Sequence, residues 1–449
     1  MGSIGKNGAV LSQEQARMLC KMTPLITLVL LPSVLFPSTE IPLEKMEFEL
    51  VWEEVFDKKI KDVAWGETED GRLYPKIILF ADEIRFYDEE ANLLWGWQEE
   101  ASHNLLSLSV QFSPKSNHIT LSSKSKPPVS HEKWADMKWP VTTKTRILNS
   151  QGEEVWKQVY TSEDDTVGVA YVSDPGFFVL VDQAYAYLAF YGPNGNLLRQ
   201  VKPFGNMDWD NGRQIRGIFT DDGKHFVCFA TRHGANIGTK ERQGKSAEPF
   251  VIMFTNRGEE LWRYPLPGMV SDQFQITPDG SFIGCSTWEV DFSIGSIGAV
   301  RGVTHLLDRT GSLVSEYPFR SFRIAFSPDG EYGVLIQRIS PLEEGEPMTP
   351  EDRPAFALLL IQTQDGEVIW KETLRDSKSI PFITLSTEAN FIVAHTDGKT
   401  RILDKRGRCV GEKSWVDENM YPKRMRILSD ASIRLLAGGK LFRLVKIEK

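Results

Sequence analysis

The chain of 449 residues carries 52 Lys and Arg against 61 Asp and Glu, a formal charge of -9, and 41% of its residues are hydrophobic. That composition belongs to a folded, soluble protein. It excludes a disordered chain, a multi-span membrane protein and a protein held on nucleic acid by bulk electrostatics. Length alone fits about three domains or one closed repeat domain, so periodicity decides between them.

Residues 25–36, LITLVLLPSVLF, form the one long apolar run, preceded by Arg17 and Lys21 and followed by Pro37, Ser38, Thr39 and Glu40. It is short of the roughly 20 residues that span a bilayer and suits the apolar core of an export signal. The expectation is a leader over 1–45, cleaved or retained as an anchor with membrane attachment through 25–36. The protein is then exported, to a periplasmic or extracellular site, or membrane-anchored. A cytoplasmic location is the alternative. The competing structural reading, a buried segment, meets Pro24, Pro32 and Pro37, which spoil helix and strand alike. Cys20 precedes the run, where a lipid-bearing cysteine follows one. Cys228, Cys285 and Cys409 are scattered without a CxxC pair and read as small buried apolar residues.

From residue 46 onward two short patterns alternate. One is a strand, a turn of Pro, Asp and Gly, and a return strand, as in GIFTDDGKHFVCF (217–229), FQITPDGSFIGC (274–285) and IAFSPDGEYGVLI (324–336). The other centres on glycine and ends in apolar residues, as in ILNSQGEEVW (147–156), MFTNRGEELW (253–262) and IQTQDGEVIW (361–370). Its turn position falls at Ala91, Gly152, Gly195, Gly258, Gly311, Gly366 and Gly407, at intervals of about 41 to 63 residues. Two hairpins in that length make one four-stranded antiparallel sheet. A twisted sheet cannot bury both faces alone, and radial stacking around an axis covers them. The fold class is therefore all-β, a single propeller over 46–449. Eight blades are expected, with seven the alternative should 63–81 prove not to be a repeat. The last repeat, 426–447, supplies three strands, and EFELVW (47–52) is expected to close the ring as the fourth.

The T/S-P-D-G turns at Thr277 to Gly280 and Ser327 to Gly330 resemble WD40-like and TolB-like propeller repeats. The G-E-x-x-W endings at Gly152 to Trp156, Gly258 to Trp262 and Gly366 to Trp370 resemble the docking motif of quinoprotein-like (PQQ-like) propellers. The resemblance implies the fold and leaves function open, because propellers host unrelated activities. The chain departs from quinoprotein dehydrogenases in lacking an adjacent cysteine pair, and no cofactor is expected. Trp95, Trp156, Trp262 and Trp370 share one repeat position, so a structural role, sealing each blade against its neighbour, is expected of them.

In a four-stranded meander with strands A to D, the A–B and C–D turns leave one end and the B–C and D–A connections the other. Length variation sits in the second set, including 123–144, 232–249, 289–302 and 339–354. Connections this long carry function or are disordered. The first bears Trp134 and Trp139 amid Lys133 and Lys138, which we take as candidate anchors for a protein or polysaccharide. The alternative is that both tryptophans fold back onto their own blade.

No HExxH, GxSxG or CxxC motif is present. GTKERQGKS (238–246) imitates a phosphate loop but spaces its glycines by five residues instead of four, with no helix pattern after it. Asp208 and Asp210 in NMDWDNG (206–212) are weak calcium candidates: the glycine falls one position late and the closing glutamate is missing. The seven histidines are dispersed; His103, His118 and His131 fall within one repeat but at spacings that fit no standard site, and the histidines read as surface residues. The leading functional reading is a non-catalytic, monomeric binding or scaffold propeller. The alternatives are a lyase or hydrolase with acids and bases gathered at the central channel, and a cytoplasmic WD40-like scaffold.

Overall fold

The structure, a computed structural model, describes residues 48–446 apart from 55–57, 69–72, 91, 99–104, 126–140, 163–168, 183–186, 204–212, 233–249, 267–268, 292–298, 340–354, 375–378, 416–421, 429–430 and 438–439. The apolar run at 25–36 and the boundary at 45/46 lie outside the described residues.

Eight four-stranded antiparallel sheets follow one another along the chain. Blade 1 runs from strand Asp62–Glu67 to Leu93–Gln98, blade 2 from Leu105–Phe112 to Glu154–Ser162, and blade 3 from Val169–Val172 to Leu197–Val201. Blade 4 runs from Arg213–Phe219 to Glu260–Pro265, blade 5 from Met269–Ile276 to Leu313–Tyr317, blade 6 from Ser321–Phe326 to Val368–Leu374, and blade 7 from Phe382–Leu385 to Cys409–Ser414. Blade 8 takes Pro422–Ile427, Ile433–Ala437 and Lys440–Lys446 from one end of the chain and Phe48–Glu54 from the other. Leu50 pairs with Leu444 and Trp52 with Arg443 in that closing ladder, as the spare N-terminal strand led us to expect. The hairpin at 63–81 is a true repeat, so the count is eight.

The burial gradient across a blade follows from stacking. Middle strands have a neighbouring blade on each face and read as continuous apolar runs: Phe356 to Ile361 of blade 6 are all buried. Outermost strands meet solvent, and Leu197–Arg199 and Gln200 of blade 3 are exposed. Each seam has its own apolar cluster. Phe190 of blade 3 packs with Phe226 and Phe254 of blade 4, Leu360 of blade 6 with Ile392 of blade 7, and Leu441 of blade 8 with Ile78 of blade 1. Each fully buried side chain of this size contributes about 1.5 to 3 kcal/mol. Joining both chain ends in blade 8 gives its seams the same kind of core as the other six.

Two expectations about single residues need correction. Cys228 and Cys285 are buried, but Cys409 is exposed, because it stands at the start of an outermost strand. The histidines are less peripheral than their scatter suggested: His305 and His395 are buried on middle strands, and His118 is half-buried.

Candidate functional site

The A–B turns of blades 4, 5 and 6 are built alike from a hydroxyl and a carboxylate two residues apart. Thr277 Oγ1 donates to Asp279 Oδ1 at 2.8 Å and accepts from the Phe282 amide, while Asp279 accepts from the Ser281 amide. Thr220 with Asp222, and Ser327 with Asp329, repeat the arrangement. These bonds hold the Asp222 and Asp279 carboxyls below the usual range, against a desolvation that acts the other way and is the largest single influence on each. Successive turns also touch. Asp174 of blade 3 accepts from Ser113 Oγ and from the Lys115 and Asn117 amides of blade 2, and the Asp221 amide donates to Pro278 O of blade 5. The turn end of the ring is thereby cross-linked. Asp221 is the carboxyl here that burial pushes up, with Lys115 opposing that shift and Asp174 adding to it. Asp174 itself is engaged in holding the blade 2 turn.

Toward the perimeter four seams are crossed at the C–D turn by an indole. Trp95 Nε1 donates to Ser150 O of blade 2 at 2.9 Å, and a Cβ on Gly152 would lie 2.7 Å from its ring. Trp262 reaches Arg309 O of blade 5 and lies against Gly311; Trp370 reaches Lys405 O of blade 7 and lies against Gly407. Trp156 lies against Gly195 of blade 3 and packs on Phe178 and Tyr191. All four indoles are half-buried. Glycine is required at Gly311 twice over: φ is +81°, and a methyl group would enter the indole.

The same position holds other residues at three seams. In blade 5 it is Ser315, and the buried Tyr317 bridges instead, its hydroxyl donating to Gly366 O of blade 6 at 2.8 Å. In blade 7 it is Gly411, and no C–D turn faces it, because strands C and D of blade 8 come from opposite ends of the chain. In blade 3 it is Arg199, so no indole crosses the seam to blade 4, where Phe190 lies against Gly258 instead. A groove of about 450 Å³ opens there, lined by Phe177, Pro193, Leu198, Arg199, Arg257 and Glu259 among others. Arg199 and Arg257 are exposed, and neither forms an ion pair with any described residue.

Trp134, Trp139, Lys133 and Lys138 lie outside the described residues, as do Asp208 and Asp210. The strand ends that bear the first four, Ser125 and Val141, stand at the end of blade 2 opposite its turns. Among the described residues no three His, Cys, Asp or Glu side chains converge as a metal set. The Cys228 and Cys285 thiols are pushed up strongly by burial, which keeps them protonated and inert. The groove was missed in the sequence, although its signal, Arg199 at a position held by tryptophan in four other repeats, was present.

No family model matches this sequence, and no curated protein matches it. Solved structures do. The chain is similar to a structure described as a eukaryotic initiation factor, with TM-score 0.51, 11% identity, 88% of this chain covered and 91% of that one. It is similar to the C-terminal WD40 domain of Sif2, with TM-score 0.51, 9% identity, 90% of this chain covered and 99% of that one. Dihydro-heme d1 dehydrogenase NirN aligns at TM-score 0.44 and 14% identity, over 80% of this chain and 69% of its own. At these identities the likeness shows the fold: the chain is an eight-bladed β-propeller with WD40-like turns.

Proposed function

We propose that this propeller is a non-catalytic binding or scaffold module that engages a protein or polysaccharide through the end of the ring carrying its B–C and D–A connections. The observation that supports the reading is the contrast between the two ends. The turn end is uniform and cross-linked. At the other end, the B–C gap is Asp397 and Gly398 alone in blade 7, but 126–140 in blade 2, 233–249 in blade 4 and 340–354 in blade 6. Connection lengths varied on a fixed scaffold are how loop-borne recognition surfaces are made. Trp134 and Trp139 are the proposed anchors and Lys133 and Lys138 the steering charges. The proposal includes a leader over 1–45 that exports the propeller or holds it at a membrane, and a monomeric ring.

The test replaces 126–140 by an Asp-Gly turn like that of blade 7. The parent and this variant are compared on a glycan array and by crosslinked co-purification from the native source. Loss of a partner at unchanged melting temperature supports the reading, and identical profiles refute it. Cell fractionation with N-terminal sequencing checks the leader.

A further inference from the structure

The groove between blades 3 and 4 lies at the opposite end of the ring from those connections, and its chemistry is its own. At five other seams an indole or a tyrosine hydroxyl crosses to the next blade's glycine turn. Here Gly258, with φ +82°, sits against Phe190 and the Arg199 Cβ, and Arg199 lines the groove. Arg257, on the C–D turn of blade 4, lines it as well. The groove thus holds two guanidinium groups against one carboxylate, Glu259. The neighbouring Glu260 is already paired with Arg263 at 2.9 Å, and Arg263 also donates to Pro203 O. Phe177, Pro193 and Leu198 supply an apolar wall, and Leu197 and Leu198 are exposed by 51% and 38%. Strand Leu197–Val201 is the outer edge of its sheet, so the backbone groups along that edge face no further strand of the blade.

We propose that this seam is a docking groove for an acidic polypeptide segment that carries a large apolar side chain next to its carboxylates. The unpaired Arg199 and Arg257 take the carboxylates in forked hydrogen bonds. The wall of Leu198, Phe177 and Pro193 takes the apolar side chain. The free edge of strand Leu197–Val201 takes the main chain, which is why a polypeptide fits better than an isolated anion. The overall charge of -9 works against long polyanions such as nucleic acid and leaves a short acidic segment as the matching partner.

The test uses the full chain and a fluorescein-labelled peptide of about ten residues, glutamates around a central leucine, read by anisotropy at low and physiological salt. Arg199→Trp installs the bridge found at four other seams and fills the groove. It is expected to weaken the peptide at least about tenfold while the melting temperature holds or rises, and Arg257→Gln to weaken it about tenfold as well, equivalent to the loss of one charged contact. A glutamine version of the peptide and one with glycine for leucine should each bind more weakly. The variant lacking 126–140 should bind the peptide as the parent does, which separates this inference from the loop-end reading. The proposal is overturned if the glutamate peptide binds no better than the glutamine one, or if both arginine variants bind like the parent. Displacement by inorganic phosphate together with indifference to the leucine also overturns it, showing an anion site only.

Discussion

Arg424 donates from Nε to Asp62 Oδ1 at 2.9 Å and from Nη2 to Asp62 Oδ2 at 3.2 Å, a forked pair between residues 362 positions apart. It joins the first strand of blade 8 to the first strand of blade 1, where the ring closes. Asp62 is buried and Arg424 half-exposed, so one partner is held and the other partly screened. Beside it the Lys423 ammonium donates to Lys61 O.

Asp62→Ala is expected to cost about 1 kcal/mol, discounted for the exposure of the arginine. Removing residues 46–53 is expected to do far more, since it uncovers the edge of Lys440–Lys446 and empties the fourth place of blade 8. Urea melts read the first effect. Light scattering of the purified truncation reads the second as aggregation, and a truncation that melts like the parent would show that the closing strand is dispensable.

Trp262 and Gly311 should be energetically coupled. Half-burial of the indole sets the expected cost of Trp262→Ala at about 1 to 3 kcal/mol, below that of a fully buried tryptophan. Gly311→Ala adds backbone strain at φ +81° and a clash 2.6 Å from the ring. In the double variant the clash is gone and only the strain remains, so the two costs should fall short of additivity by about 1 kcal/mol. A double-mutant cycle in urea measures this, and full additivity would deny the contact.

The Thr277 hydroxyl is both donor and acceptor within its turn, so Thr277→Val should cost about 1 to 2 kcal/mol and Thr277→Ser much less. Comparing the two melting curves separates loss of the hydrogen bonds from loss of the methyl group. Equal effects would place the role in packing instead.

Stability should fall on acidification. Desolvation lowers the pKa of His305, only partly offset by Glu316, and neither ring nitrogen has a hydrogen-bond partner among the described residues. Desolvation likewise lowers His118 and His225. A base whose folded pKa is depressed binds its proton more readily when unfolded. The folded state therefore holds its full advantage above the unfolded value near 6.5 and loses it as pH falls below that. The urea midpoint should drop between pH 7.5 and pH 5.5, and His305→Gln should flatten that slope. An unchanged slope would remove His305 from the account.

The sequence by itself determined the propeller and the strand that closes it, because those rest on local chemistry; the eighth repeat, through the hairpin at 63–81, was decided by the structure. Asp, Pro and Gly mark most turns, short apolar runs mark the strands between them, and a missing fourth strand at one end with a spare at the other points to closure. The position of Trp95, Trp156, Trp262 and Trp370 within the repeat was equally legible. What each meets across its seam was not, since those contacts run to the following blade, about a repeat away along the chain. Only the stacked ring shows that Tyr317 takes over at one seam, that Gly411 faces no turn, and that Arg199 leaves a groove. The histidines were misjudged for the same reason: a polar residue such as His305 is buried by a neighbouring blade, and no local pattern records which blade that is.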